Sequence, residues 1–359
     1  MSRSVPAGNR TLNAIGPGSA AATTGPPSIR HRLVVTLLVF GAAAGLACLA
    51  APLVGSTPIG LRRVFDPSVP FQDNVDAQIF FIARLPRVVA AAIVGSTLAS
   101  AGVVFQALLR NPLATPFTLG VSAGAALGAM LALTVGLGVS ILGVPAVAIA
   151  SFAGSLGAVG IVYGLSTIRQ RGFSTDVLLL AGVTLNAFFS ALILFVQYLA
   201  DFSQTFRTVR WLMGDLDVAG YEAIVAALPF TIAAFAIFAW LPRHLNLLTL
   251  GPDSAAARGI AVVRTQRLAF FSASLATGAA VSLGGPIGFI GIIVPHLVRL
   301  LVGADHRVVL PASALFGAAF LIGCDLVART VMAPLELPVG IVTAVLGGPF
   351  FLGLLLRRR

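Results

Sequence analysis

The chain has 359 residues, of which 58% are hydrophobic and 10% charged, with a mean hydropathy of +0.99. Such values exclude a water-soluble globular domain and place the chain in lipid. The formal charge is +11 and every basic side chain other than histidine is an arginine; the lack of lysine excludes a P-loop, and no aromatic stripe interleaves the arginines as a nucleic-acid surface would require.

A hydrocarbon layer of about 30 Å takes roughly 20 apolar residues of helix, so a chain of this length has room for about ten spans. Residues 1–29 are rich in Gly, Pro, Ser, Thr and Ala, lack an apolar run and read as a flexible tail. Arg30, His31 and Arg32 abut the first apolar run, 33–54. Others follow at 86–109, 117–135, 141–167, 175–200, 221–241, 266–284, 290–302, 308–330 and 338–356. Cys48 and Cys324 lie inside such runs and read as small buried hydrophobes. Arg and His gather before the first run, in alternate connections (Arg110, Arg169, Arg171, Arg243, His244, Arg258, Arg264, His306, Arg307) and at Arg357 to Arg359. By the positive-inside rule both termini are then cytoplasmic. The expected fold is an all-α membrane protein of about ten transmembrane helices over residues 30–359.

Two outer connections are long enough to present a surface: 55–85, which mixes Arg62 and Arg63 with Asp66, Asp73 and Asp76, and 201–220, which contains RTVRWLMGDLD. In RNPLATPFTLGVSAGAALG, 110–128, Pro112 and Pro116 each remove an amide donor and require a turn. Gly120, Gly124 and Gly128 then make a small-xxx-small ladder on the third span, a pattern that lets membrane helices meet backbone to backbone. Span five carries Thr184, Asn186, Ser190 and Gln197 among apolar neighbours. Between spans six and seven, Asp253 to Arg258 can form a short helix, with Pro252 at its start and Gly259 at its end. GGPIGFIG, 284–291, holds no ionisable residue and reads as a turn between spans seven and eight; His296 reads as a structural histidine. Asp325 and Arg329 are four apart, a spacing that allows pairing along one helix face.

Together and in this order, RLPRVVAAAIVGSTLASAGVVFQALLRNPLATPFTLGVSAGAALG at 84–128, WLMGDL at 211–216, GGPIGFIGIIVPHLVRLLVGADHR at 284–307 and DLVARTVMAPLELPVGIVTAVLGGPFFLGLLL at 325–356 carry a resemblance. The chain resembles the bacterial ABC importer permeases for iron siderophores, haem and vitamin B12, the FecCD-type transmembrane subunit, over roughly residues 33–356. The resemblance implies a type II ABC importer permease fold in the bacterial inner membrane. It implies inward movement of a metal chelate by alternating access, a ferric siderophore first and haem or vitamin B12 as alternatives.

The resemblance also implies partners: two ATP-binding cassette ATPase subunits that hold ATP and Mg, an extracytoplasmic substrate-binding protein, and a second permease chain in a homodimer or heterodimer. No cofactor, metal or nucleic acid would be bound by this chain. An ATPase-coupling loop is implied over 248–263, through Leu250, Gly251, Asp253, Ala255, Ala257, Arg258 and Gly259, with Arg258 standing where relatives usually carry Leu. Binding-protein docking is implied for Arg84, Arg87 and Arg329, with interfacial snorkelling as the alternative. A cytoplasmic gate is implied at Arg171, Ser174 and Thr175, and a path along span five past Thr184, Asn186, Ser190 and Gln197. The rival reading, an ion-coupled secondary transporter, calls for ionisable groups deep in the spans. His296, Arg299, Asp325 and Arg329 are all assigned near span ends.

Overall fold

A computed structural model describes residues 29–136, 140–141, 143–168, 175–218 and 220–357. The expected tail, apart from its last residue, and the gate residues Arg171 and Ser174 lie outside the described residues. Helix α1 (Ile29–Ala50) ends in a 3-10 turn and is followed by the single turns α2 (Leu61–Val64) and α3 (Val75–Gln78). A π turn, Ile79–Arg84, joins α3 to α4 (Leu85–Leu108). After a second 3-10 turn come α5 (Val121–Thr134), a two-residue hairpin of β1 (Ser140–Ile141) with β2 (Val144–Pro145), α6 (Ala146–Ile168) and α7 (Thr175–Leu199). The chain continues through α8 (Phe202–Leu212), α9 (Glu222–Trp240), α10 (Pro242–Leu248), α11 (Pro252–Ala257) and α12 (Val262–Gly284). It closes with α13 (Ile290–Val302), α14 (His306–Thr330) and α15 (Val339–Arg357).

Among the described residues seven helices are long and apolar enough to cross a membrane, and three shorter apolar ones, Val121–Thr134, Ile290–Val302 and Val339–Leu354, fall in the remaining runs. The second span starts earlier than its apolar run. Val75–Leu108 is one 34-residue helix, capped by the Asn74 side chain, which accepts from the Ala77 amide at 3.0 Å. Pro86 explains the π turn inside it: a proline lacks an N–H and its ring collides with the carbonyl four residues back. Widening the turn, so that the Leu85 amide bonds the Phe80 carbonyl, accommodates the ring without breaking the helix.

Helix α4 is the centre of the bundle and packs against α12, α13 and α14. Lipid gives helices no hydrophobic reason to associate, so close approach must come from small side chains. Gly95 faces the Gly317 backbone of α14, and Gly102 faces Gly291 of α13 so closely that a Cβ would strike its carbonyl oxygen. Helix α6 lies on α5 in the same way, Gly124 against Gly154 and Gly128 against the Ala150 carbonyl. Gly120 is placed otherwise: its φ of +79° closes the 3-10 turn before α5, and it faces Gly182 and Leu185 of α7.

Helices α5 and α13 are short because non-helical chain lies inside the bundle. Gly285 and Phe289 both have a φ of +67°, and the turn 285–289 sits at the depth of Val94 to Gly102 of α4. Backbone of this kind is tolerated at membrane depth only where protein satisfies it. The Asp215 amide bonds the Gly284 carbonyl at 3.0 Å, the Gly340 amide reaches Gly214 at 3.4 Å, and Leu216 and Ile287 are buried between them. WLMGDL, GGPIG and the PVG before α15 therefore meet at one place.

Candidate functional site

At the end of the bundle formed by residues 55–84, α8 and 331–338, a cavity of about 770 Å³ opens between α8, the start of α4 and the loop before α15. Arg84, Arg87 and Arg329 are all on its wall, brought together from two helices. They do not point outward: Arg84 and Arg87 are 6% exposed and Arg329 is 3% exposed. Asp325, fully buried, lies between two of them, 2.8 Å from Arg87 Nε and 3.0 Å from Arg329 Nε. Glu336, partly exposed, holds Arg87 from the other side at 2.5 Å. Arg84 donates to the carbonyls of Pro52 and Thr57, and Arg329 Nη2 to that of Ala51. Arg210 of α8, another lining residue, pairs with Asp215 at 2.9 Å and reaches Asp217 at 3.5 Å.

Helix α8 was missed as an element by sequence reasoning, although its signal is present. Asp201 accepts from the Gln204 amide and the Gln204 side chain accepts from the Asp201 amide, a capping box written in the sequence as DFSQ.

The opposite end carries α10 and α11. Pro252 starts α11, Gly251 enters it at φ +107° and Gly259 leaves it at φ +81°. Ala255 is fully buried and anchors the helix, while Asp253, Ala257, Arg258 and Gly259 are exposed, as is Leu250 at 58%. The result is a short protruding helix held by one small side chain and hinged by two glycines in the left-handed half of backbone space. Beside it a groove of about 670 Å³ runs past Trp240, His244, Gly259 and Arg264.

A polar lock ties this end together. The Asn246 amide of α10 donates to Asp305 at 2.7 Å, its oxygen accepts from the His306 amide at 2.9 Å, and Asp305 is chelated by Arg307 with contacts down to 2.7 Å. These bonds, led by those from Arg307, hold the Asp305 carboxyl well below the usual carboxylate range. Deeper in, Arg299 donates to the Gln106 oxygen, whose amide donates to the Gly291 carbonyl at 3.0 Å. None of Asn246, Asp305 or Gln106 stood out in the sequence, since each is one polar residue in a connection or span and its partners are distant in the chain.

On α7, Leu178, Gly182, Leu185, Phe189 and Ile193 form the buried face. At roughly 100° per residue, Thr175, Asn186, Ser190 and Gln197 line one flank of that face, while Thr184 points the opposite way and bonds its own helix at Leu180. Asn186 is committed to the Phe117 carbonyl. Ser190 is exposed and Gln197 half-buried.

Residues 37–357 match the FecCD transport family. The chain is 41% identical over 345 residues to the cobalamin import system permease of Halobacterium salinarum, covering 93% of this chain and 91% of that one. It is 36% identical over 315 residues to the hemin transport system permease of Yersinia pestis, covering 88% and 93%. A solved metal-chelate type ABC transporter in an inward-facing conformation superposes with a TM-score of 0.78 at 32% identity, covering 90% of this chain and 99% of that one. With a family match across nearly the whole helical bundle and a superposition of that extent, the chain belongs to the FecCD transport family, as the multi-pass inner-membrane permease of a metal-chelate-type ABC importer.

Proposed function

We propose that this permease moves a metal chelate into the cytoplasm by alternating access, and that a ferric siderophore is the first cargo to test, with haem and cobalamin as the others. Permeases of this family work with ATPase subunits and a second permease chain. The observation that carries the mechanism is α11, a protruding helix between glycine hinges at the end of the bundle opposite the arginine cavity. Leu250 to Gly259 is the contact for the ATPase subunit, which puts that end and both termini in the cytoplasm. Motion of α11 reaches the bundle through α10 and the Asn246 lock on the head of α14, because the lock supplies the side-chain hydrogen bonds between those two helices among the described residues.

Helix α14 then joins both ends: His306 starts it at the lock, and Asp325 and Arg329 finish it at the cavity. An extracytoplasmic binding protein delivers cargo to the cavity end. Helix α7 lines the route, its flank of Ser190 and Gln197 offering mild polar groups that let a bulky chelate pass without holding it. Reconstitution with cognate ATPase and binding protein tests the reading. One of the three chelate classes should stimulate ATP hydrolysis and accumulate in the vesicle; accumulation by the permease alone, against a gradient and without ATPase, would overturn it.

A further inference from the structure

The arginine cavity carries more than its position. Four guanidiniums line it, Arg84, Arg87, Arg210 and Arg329; Asp215 and Asp217 hold Arg210, while Asp325 and Glu336 hold Arg87 and Arg329. Arg84 is the one of the four without an acid in contact among the described residues: it donates to two backbone carbonyls, and Glu336 acts on it only at longer range. Arg329 adds a donor, since its Nη1 is buried without a hydrogen-bond partner. A buried cationic donor left unpaired is costly, so both groups favour an incoming anion, most of all a carboxylate, whose charge-assisted bonds to a guanidinium are short and strong.

The other wall is different. Phe206 and Val209 of α8, with Met213 just after it, present apolar side chains across the cavity beside the acid-paired Arg210. A volume of about 770 Å³ suits a bound small molecule, whose pockets run from about 300 to 1,000 Å³. We propose that the cavity is a vestibule for the chelate itself, selecting a carboxylate-bearing chelate with an apolar body, its carboxylate on Arg84 and Arg329 and its body on Phe206 and Met213. This deepens the import reading and rests on it. Arg84, Arg87 and Arg329 are sunk at 3–6% exposure, and Glu336 already covers the outer side of Arg87, which favours a ligand that enters the cavity over an acidic side chain resting on a protein surface.

The test uses the permease with its ATPase subunits in nanodiscs, without binding protein or ATP, titrated with ferric protoporphyrin IX and with its dimethyl ester, which share a body and differ in charge. The acid should bind about tenfold tighter than the ester, as a single charge-assisted contact would give. Arg84→Gln should abolish that preference and Arg84→Lys should keep most of it. Glu336→Gln, which removes a competing carboxylate from the rim, should tighten the acid severalfold and leave the ester unchanged. Equal binding of acid and ester, or a preference that survives in Arg84→Gln, overturns the proposal. So does an Arg84→Gln variant that loses capture of the binding protein while keeping its acid preference, an outcome that assigns the arginines to docking. Because these measurements are made at equilibrium, a complex that imports no chelate would sink the import reading and leave them standing.

Discussion

Gly102 and Gly259 are the same residue type held for opposite reasons. Gly102 has an ordinary helical backbone and no room: the Gly291 carbonyl occupies the place of its side chain. Gly102→Ala should force α4 and α13 apart, at a cost of about 1–3 kcal/mol, as overpacking does. It is read as a lower unfolding temperature in detergent, and an unchanged temperature would contradict the packing. Gly259 has open space around it and a φ of +81°, so what a side chain meets there is backbone strain, about 1–2 kcal/mol for an L-residue in the left-handed region. Gly259→Val should leave the bundle intact, with normal yield and unfolding temperature, while lowering chelate uptake per ATP hydrolysed. Retained coupling would remove Gly259 from the hinge. The sequence offers both glycines equally, and only their neighbours tell a packing glycine from a hinge glycine.

Among the elements, α10 and α14 depend on one another through side chains that the sequence keeps 59 or 60 residues apart. Asn246→Ala removes the bonds to Asp305 and to the His306 amide, a loss of about 1–3 kcal/mol where the groups are partly buried. Copurification with the ATPase should persist, because α11 is untouched, but stimulation of hydrolysis by chelate should fall. A variant that is stimulated normally would show that the lock transmits nothing. The lock also has an acid limit. The Asp305 carboxyl is depressed chiefly by the Arg307 hydrogen bond, so its contribution is full above the ordinary Asp value of about 4 and is lost as pH falls through the lower folded value. The unfolding temperature should change little from this source between pH 8 and 5 and fall below about 4. Asp305→Asn should flatten that fall. Legibility at this scale was mixed: α11 was readable from Pro252 and Gly259, α8 had an unused capping box, and the lock had no local signature.

Over the whole molecule, burial is uneven in a way that suits a half-assembly in lipid. The span containing α4 is 78% buried and that of α12 72%, whereas the α1 span is 17% and α7 22% buried. The outward side of α7, to which Thr184 points, carries the exposed aromatics Phe188, Phe195 and Tyr198. Such a face suits a second permease chain, the partner with which permeases of this family work. With Cys48 and Cys324 replaced by Ala, Thr184→Cys should form an oxidant-dependent cross-linked dimer in membranes, whereas a cysteine at Leu49 of the exposed α1 should not. A Thr184→Cys protein that stays monomeric under oxidation would place the second chain elsewhere.

The sequence by itself determined the solvent, the approximate spans and the class of machine. Lipid demands long apolar runs, so the solvent and the spans follow from composition and one-dimensional order; the missing lysine removes only a P-loop, and the class of machine rests on the ordered motifs that resemble the FecCD-type permeases. The tertiary structure alone decided that Arg84, Arg87 and Arg329 turn inward around Asp325, that WLMGDL, GGPIG and PVG meet inside the bundle, and that Thr184 leaves the flank shared by Asn186 and Ser190. The reason is physical. Hydropathy is a property of each residue summed along the chain, whereas the direction of a guanidinium is set by which carbonyls and carboxylates neighbouring helices bring within reach.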